Sequence, residues 1–305
     1  MNKKLMALVL GGVSALAGLA GQELSSPQSD PFELGLILKS AREYCRRLEQ
    51  AALDFVCLEE VTEKVEISRD SKEPPVQKAP DVANPTRGVS GSGYMSSGRP
   101  ISFNLGSSDK REHTFVFDYQ FIRREGKVEE KRVLLEKDGK KATENTPLPP
   151  TRAFNFSDIL LAPVRLLDER LQGFYIYRLT GHETLDGVEC RVLEVAPRFS
   201  TISSCLGGKI WLKADDASVL RIEWDPSTFG NYETVRARAK GYKATPEVRS
   251  YSEFGVEKNG LRFPSADFTE EAYRGAGGKL FVRAKTSVVY RNHKFFTVET
   301  QTIVK

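Results

Sequence analysis

The chain has 305 residues, is 40% hydrophobic and 28% charged, and carries 45 Lys+Arg against 41 Asp+Glu, a formal charge of +4. That composition can bury a core and excludes a wholly disordered chain, while the near balance of charge argues against a dedicated nucleic-acid binder. No apolar run reaches the roughly 20 residues that span a bilayer.

Lys3 and Lys4 precede an apolar stretch, Leu5 to Ala20, that ends in small residues at Gly18-Leu19-Ala20-Gly21. This reads as a signal peptide over residues 1–21, cleaved near Ala20 or Gly21, with an uncleaved anchor helix as the alternative. A lipoprotein signal would place a cysteine where the chain has Gln22. The expected destination is the periplasm or the exterior, with residues 22–305 forming one domain.

The next segment has the chemistry of a helix start. Asp30 is placed to cap, Pro31 suits the first turn and Glu33 has capping-box spacing. Leu34, Ile37, Leu38, Ala41, Tyr44, Cys45, Leu48 and Ala52 then recur three or four apart, predicting a helix over Pro31–Leu53 with one apolar stripe.

After Asp54 the period changes to two. Phe115, Phe117, Tyr119 and Phe121 share one strand face, as do Leu220, Ile222 and Trp224. Further strands are expected at Phe174–Leu185, Val188–Ala196, Lys209–Lys213, Val248–Val256, Leu261–Phe268, Leu280–Tyr290 and Phe295–Val304. Glu125-Gly126, Asp138-Gly139, Asp186-Gly187 and Asn259-Gly260 are hairpin signals, and Asn292-His293 reads as another turn. The pattern predicts an α+β chain, mainly β, built on one antiparallel meander. Two segments interrupt it. Residues of about 69–110 hold five prolines among many Ser and Gly and read as a flexible insertion. Phe156–Leu171 has helical spacing, with Ser157 a candidate cap and Pro163 implying a kink or two short helices.

Export makes the four cysteines legible as structural disulfides, because such bonds persist in oxidising compartments. With a helix turning back near Leu53, Cys45 lies about 12 Å up the helix. Cys57 lies about 13 Å along the returning strand, so the two arrive level. Cys190 and Cys205 flank a plausible turn at Pro197-Arg198. The alternative, metal binding, lacks Cys-x-x-Cys spacing.

Catalytic constellations are sparse. The chain has three histidines, His113, His182 and His293, and Gly88-Val89-Ser90-Gly91-Ser92 misses the nucleophile-elbow pattern at its last residue. Phosphate-loop and His-Glu-x-x-His motifs are missing. Asp215-Asp216 reads as a turn, and Glu59-Glu60, Glu129-Glu130 and Glu270-Glu271 as solvated positions. The sequon at Asn155 is incidental in a chain with a bacterial type of export signal. The expectation is a non-enzymatic protein without cofactor or metal. Arg236, Arg238 and Lys240 alternate with Val235, Ala237 and Ala239, which would give a strand a basic face for lipid headgroups or an acidic protein, or an ordinary wet face.

Three passages resemble a known superfamily. Gly181-His182-Glu183-Thr184-Leu185-Asp186-Gly187-Val188-Glu189-Cys190, running on to Pro197, resembles the strand, Asp-Gly turn, strand and Pro passage of the lipoprotein-carrier superfamily. That group includes the LolA and LolB carriers, LppX-type lipid binders and the sensor RseB. Gly208–Trp224 and Tyr251–Pro264 resemble its following hairpins. The resemblance implies an unclosed β-barrel whose apolar face is covered by helices and can hold acyl chains.

The expected function is to bind a lipid, a lipoprotein acyl chain or another hydrophobic ligand in a half-barrel. Phe115, Phe117, Tyr119, Phe121, Ile222 and Trp224 are the candidate lining residues. The alternative is an envelope interaction or sensor module with a filled core that acts through its surface on another envelope protein.

Overall fold

The computed structural model describes residues 30–51, 53–70, 110–124, 127–143, 159–198 and 205–297. The expected signal peptide, nearly all of the insertion, Ser90, Asn155, Ser157 and Glu125-Gly126 lie outside them.

Helix α1 (Pro31–Gln50) begins as its sequence dictates, with the Asp30 carboxylate accepting the Phe32 amide hydrogen at 2.9 Å and Pro31 in the first turn. It stops three residues earlier than its spacing predicts, and β1 (Leu53–Glu66) follows at once. Then come β2 (Lys110–Arg124), β3 (Lys127–Lys137), β4 (Lys140–Lys141), a 3₁₀ turn, α2 (Ala162–Leu167), α3 (Glu169–Gln172), β5 (Tyr175–Leu185), β6 (Val188–Pro197), β7 (Gly208–Lys213) and β8 (Val219–Trp224). Helix α4 (Tyr232–Tyr242) precedes β9 (Ala244–Glu253), β10 (Val256–Lys258), β11 (Leu261–Phe263), β12 (Ala266–Gly275) and β13 (Leu280–Thr297).

Eleven of these strands form one antiparallel sheet in the order β4-β3-β2-β1-β13-β12-β9-β8-β7-β6-β5, open at both edges, and β10 pairs with β11 apart from it. This is the mainly β architecture that the alternation predicts and the unclosed sheet that the resemblance implies. Asp138-Gly139, Asp186-Gly187 and Asn259-Gly260 all have positive φ at both positions, the conformation that tight hairpins of this kind require.

Strand alternation gives the sheet two unlike faces. The inner face carries Phe55, Tyr119, Phe121, Ile210, Ile222 and Leu193, all buried. Over it lie Ile37, Ala41, Tyr44, Cys45 and Leu48 of α1, with Val164, Leu166 and Leu167 of α2, in one core cluster. The β10–β11 hairpin joins this roof, where the Tyr44 hydroxyl accepts the Arg262 amide hydrogen at 3.2 Å and Phe263 meets Phe55 edge-on at 5.5 Å. Each large side chain so buried contributes about 2 kcal/mol. On the outer face Lys285, Phe268, Tyr251, Arg221 and Trp211 form a ladder across five strands, with Phe268 and Tyr251 stacked at 5.0 Å and Arg221 4.3 Å from the Tyr251 ring.

Several boundaries differ from the sequence reading, each for a local reason. The 232–242 stretch is a helix, not a strand: Val235, Arg238 and Ala239 are buried at helical spacing, and Val235 and Ala239 pack against Tyr273. Strand β13 runs unbroken through Asn292-His293, because Asn292 takes φ 57° and forms a bulge opposite β1, where the register jumps between Val56 and Leu58. The expected strand Leu261–Phe268 is divided at Pro264, which has no N–H for a ladder, and Val248–Val256 is divided after Glu253. The Pro163 segment takes the second expected form, two short helices, with Pro163 in the first turn of α2, where it is tolerated.

Among the described glycines, Gly208 is where backbone approach is tightest. A Cβ there would stand 2.1 Å from the Glu223 carbonyl oxygen on β8, whereas at Gly230 it would meet nothing within 4 Å. Gly208→Ala is expected to lower stability by about 2–3 kcal/mol, the upper part of the range for overpacking, and Gly230→Ala to leave it nearly unchanged. Urea midpoints of the two variants check this.

Candidate functional site

The candidate site is the inner face beneath the roof. Four of the six expected lining residues, Tyr119, Phe121, Ile222 and Trp224, belong to the cluster that α1 and α2 cover. Phe115 and Phe117 share that face but lie farther along β2, in a separate cluster with Val61, Leu134 and Val288. The register explains the split: Phe121 pairs with Phe55, whereas Phe117 and Phe115 pair with Glu59 and Val61. Under the roof the rings touch, Phe55 stacking on Phe121 at 5.4 Å and Phe263 meeting Phe295 at 4.7 Å.

The apolar face is crossed by a buried polar seam that the sequence reading did not assign. Glu59, read there as solvated, is 3% exposed. It lies on the same parity as Phe55, Cys57 and Val61, so alternation alone forces it inward. Its carboxylate accepts two hydrogen bonds from the Arg132 guanidinium, at 2.6 and 3.0 Å, and a third from the Tyr290 hydroxyl at 3.1 Å. Arg132 also lies 4.6 Å over the Tyr119 ring and 3.5 Å from Glu130. Farther across, the Trp224 indole N–H donates to Ser252 Oγ at 2.9 Å, and Ser252 donates to Asp267 Oδ1 at 2.8 Å. The signal was the parity of these residues, and it was masked because carboxylate pairs are usually wet.

A second polar knot lies under α4. Glu271, also read as solvated, is buried and receives Arg238 Nη1 and Arg283 Nη1, each at 3.3 Å, and the Tyr273 hydroxyl. Arg283 further holds Asp70 at 3.1 Å, which ties the turn that follows β1 to β13. Glu270, on the other face, is buried beside Arg249. Unpaired, these charges would be prohibitively expensive in an apolar layer, and the guanidiniums make their burial tolerable. Arg238 is therefore a buried ion-pair partner, while Arg236 and Lys240 remain exposed on α4.

The cysteines are free thiols, a correction to the expected pairs. Cys190 packs with Val192, Trp211 and Leu220 on the outer face, whereas Cys205 packs against the inner core, so the sheet separates them. Cys45 and Cys57 share the inner core, but the Cys45 thiol is directed to the Pro163 carbonyl at 3.7 Å. Burial pushes the Cys57 thiol up to about 12 and the Cys45 thiol higher, so both stay protonated.

The histidines are scattered over β2, β5 and β13. His113 lies 3.0 Å from Asp138, His182 lies 3.4 Å from Glu33, and His293 stacks on Phe295, where burial lowers its pKa. Among the described residues no group of three or more His, Cys, Asp or Glu side chains is placed to hold a metal ion, and no helix is long and apolar enough to cross a membrane.

Asp267 is the seam carboxyl whose titration is moved towards neutral pH. Its burial raises the carboxyl from 3.8 to about 7, against the lowering effect of the Ser252 and Phe268 hydrogen bonds. The fold therefore favours the protonated acid, while the unfolded chain ionises near 3.8. Between those values the native state holds one more proton, so this group's contribution to stability falls as pH rises through the window and levels off above about 7. Asp267→Asn removes that slope. Its stability advantage over the parent protein is expected to grow by on the order of 2–4 kcal/mol between pH 4 and 8, read from urea midpoints at each pH.

No family model matches the chain, and no curated protein matches it. Among solved structures it is similar to a candidate outer membrane lipoprotein-sorting protein domain from Vibrio parahaemolyticus, at 10% identity and a TM-score of 0.41, over 87% of this chain and 94% of that one. It is also similar to a DUF1329 family protein from Desulfovibrio piger, at 11% identity and a TM-score of 0.38 over 87% and 94% of the two chains. A LolA superfamily protein from Nitrosomonas europaea matches at 10% identity and a TM-score of 0.32 over 86% and 94%.

Proposed function

We propose that this is a non-enzymatic periplasmic protein that binds a lipid, a lipoprotein acyl chain or another hydrophobic ligand against the inner face of its open sheet. The observation that carries the proposal is the roofed face itself. Aromatic and aliphatic side chains of β2, β1 and β13 and of β8 to β5 form one cluster with α1 and α2, so that this face is covered by helices instead of a second sheet. Such a cover can lift as a unit, because α1 and α2 join the sheet through side-chain packing and not through ladder hydrogen bonds. The polar seam would set how far an acyl chain can run, since beyond Glu59 and Asp267 the face is no longer apolar. The export signal over residues 1–21 and the domain over 22–305 belong to the same proposal.

A second reading, an interaction module working through its surface, is favoured by Phe32 and Leu36, which are 72% and 51% exposed one turn apart on α1.

The two tryptophans separate these readings, because Trp224 faces the roofed core and Trp211 the outer face. A brominated fatty acid is expected to quench, saturably, the emission of Trp211→Phe protein, which keeps Trp224. It should barely affect Trp224→Phe protein. Equal quenching of both, or no saturable quenching of Trp224, overturns the proposal.

A further inference from the structure

A groove of about 680 Å³ lies between the last turns of α4 and the ends of β9 and β12. Four cations reach it from two elements distant in sequence. Arg236 and Lys240 stand one turn apart on α4, Lys243 caps that helix in the left-handed conformation, and Arg274 comes from β12. Two of them are already met by carboxylates: Arg236 by Glu233 at 2.9 Å, and Arg274 by Glu247 at 2.9 Å and by the Gly278 carbonyl oxygen, also at 2.9 Å. Lys240 and Lys243 are exposed, and their ammonium groups make no hydrogen bond or ion pair with the described residues, so the groove keeps two uncompensated positive charges. Its walls are not wholly polar, since Tyr232, Ala239, Ala244 and Pro246 line it too.

Cations in a last helical turn also offset the helix dipole, and that alone would account for Lys240. It does not account for Arg274, which arrives from another element, nor for the apolar walls. We propose that the groove binds a phosphoryl group, that of an anionic phospholipid headgroup at a bilayer surface. Two lysine ammoniums supply the charge, Arg274, oriented by Glu247, supplies its remaining Nη hydrogens, and the apolar walls take the glycerol and the first methylenes. This site is separate from the inner face and stands whether or not that face holds a ligand.

The test is co-sedimentation with vesicles of phosphatidylcholine, with and without phosphatidylglycerol, at low salt. Parent protein should bind the phosphatidylglycerol vesicles and not the neutral ones. The double variant Lys240→Gln/Lys243→Gln should bind roughly 30-fold more weakly, at about 1 kcal/mol per lysine. Lys39→Gln/Lys294→Gln, which makes the same charge change away from the groove, should retain most of the affinity, and Lys240→Arg/Lys243→Arg should restore binding. Calorimetry with inorganic phosphate distinguishes the sources: phosphate binding that the groove variant loses also supports the phosphoryl site, with free phosphate as its source. No binding of either probe, or equal weakening in both double Gln variants, overturns the proposal. Binding of a polyglutamate peptide in place of vesicles, lost in the groove variant, overturns it in favour of an acidic protein partner.

Discussion

An open sheet of eleven strands presents two faces and two free edges, and here one face is too apolar to meet water uncovered. The contact that makes the architecture tenable is the packing of the α1 stripe, Ile37, Ala41, Tyr44, Cys45 and Leu48, onto that face. Other features follow from it. Helix α2 completes the cover beside α1, with Arg42 of α1 reaching Glu169 of α3, and the β10–β11 hairpin closes the flank through Tyr44. The outer face needs no such cover, because its aromatic rings alternate with Arg and Lys that shield them while keeping their charges wet.

The same constraint gives the buried seam its meaning. Carboxylates inside an apolar layer are tolerated only when paired and hydrogen-bonded, and Glu59 and Glu271 each have guanidinium partners. Asp267 is met by the Ser252 hydroxyl and the Phe268 amide instead of a guanidinium, and its burial raises the carboxyl to about 7, towards the neutral acid. The seam thus divides one sheet face into a roofed apolar half under α1 and α2 and a charged, cross-tied half under α4. Where its members are paired, such a network also rigidifies the layer and specifies one packing of it.

Much of this architecture was legible in the chain. Asp30 and Pro31 announce α1, alternation announces β2 and β8, and three Asp-Gly or Asn-Gly dipeptides mark hairpins that form as expected. What was hidden was whatever depends on partners remote in sequence. Val235-Arg236-Ala237-Arg238-Ala239-Lys240 alternates as a strand would, but its burial on Tyr273 follows the helical period. Glu59 is 73 residues from the arginine that neutralises it, so its parity conflicted with the usual behaviour of a carboxylate and the parity was right. The cysteine pairing failed in the same way. Cys190 and Cys205 look symmetric about a turn, but their positions in the sheet put them on opposite faces. The groove on α4 draws Arg274 from a strand 31 residues beyond Lys243, a meeting that spacing alone does not reveal.

The account rests on a cover that can part from the sheet without the sheet unfolding. Amide hydrogen exchange, followed segment by segment with and without an acyl-chain ligand, measures this most directly. Exchange in α1 and α2 should be faster than in β1 and β13, and ligand should alter protection in those helices while leaving the central strands unchanged. If α1 exchanges at the same rate as β1 and β13, and no acyl chain shifts it, the cover is a fixed part of the core and the account is wrong.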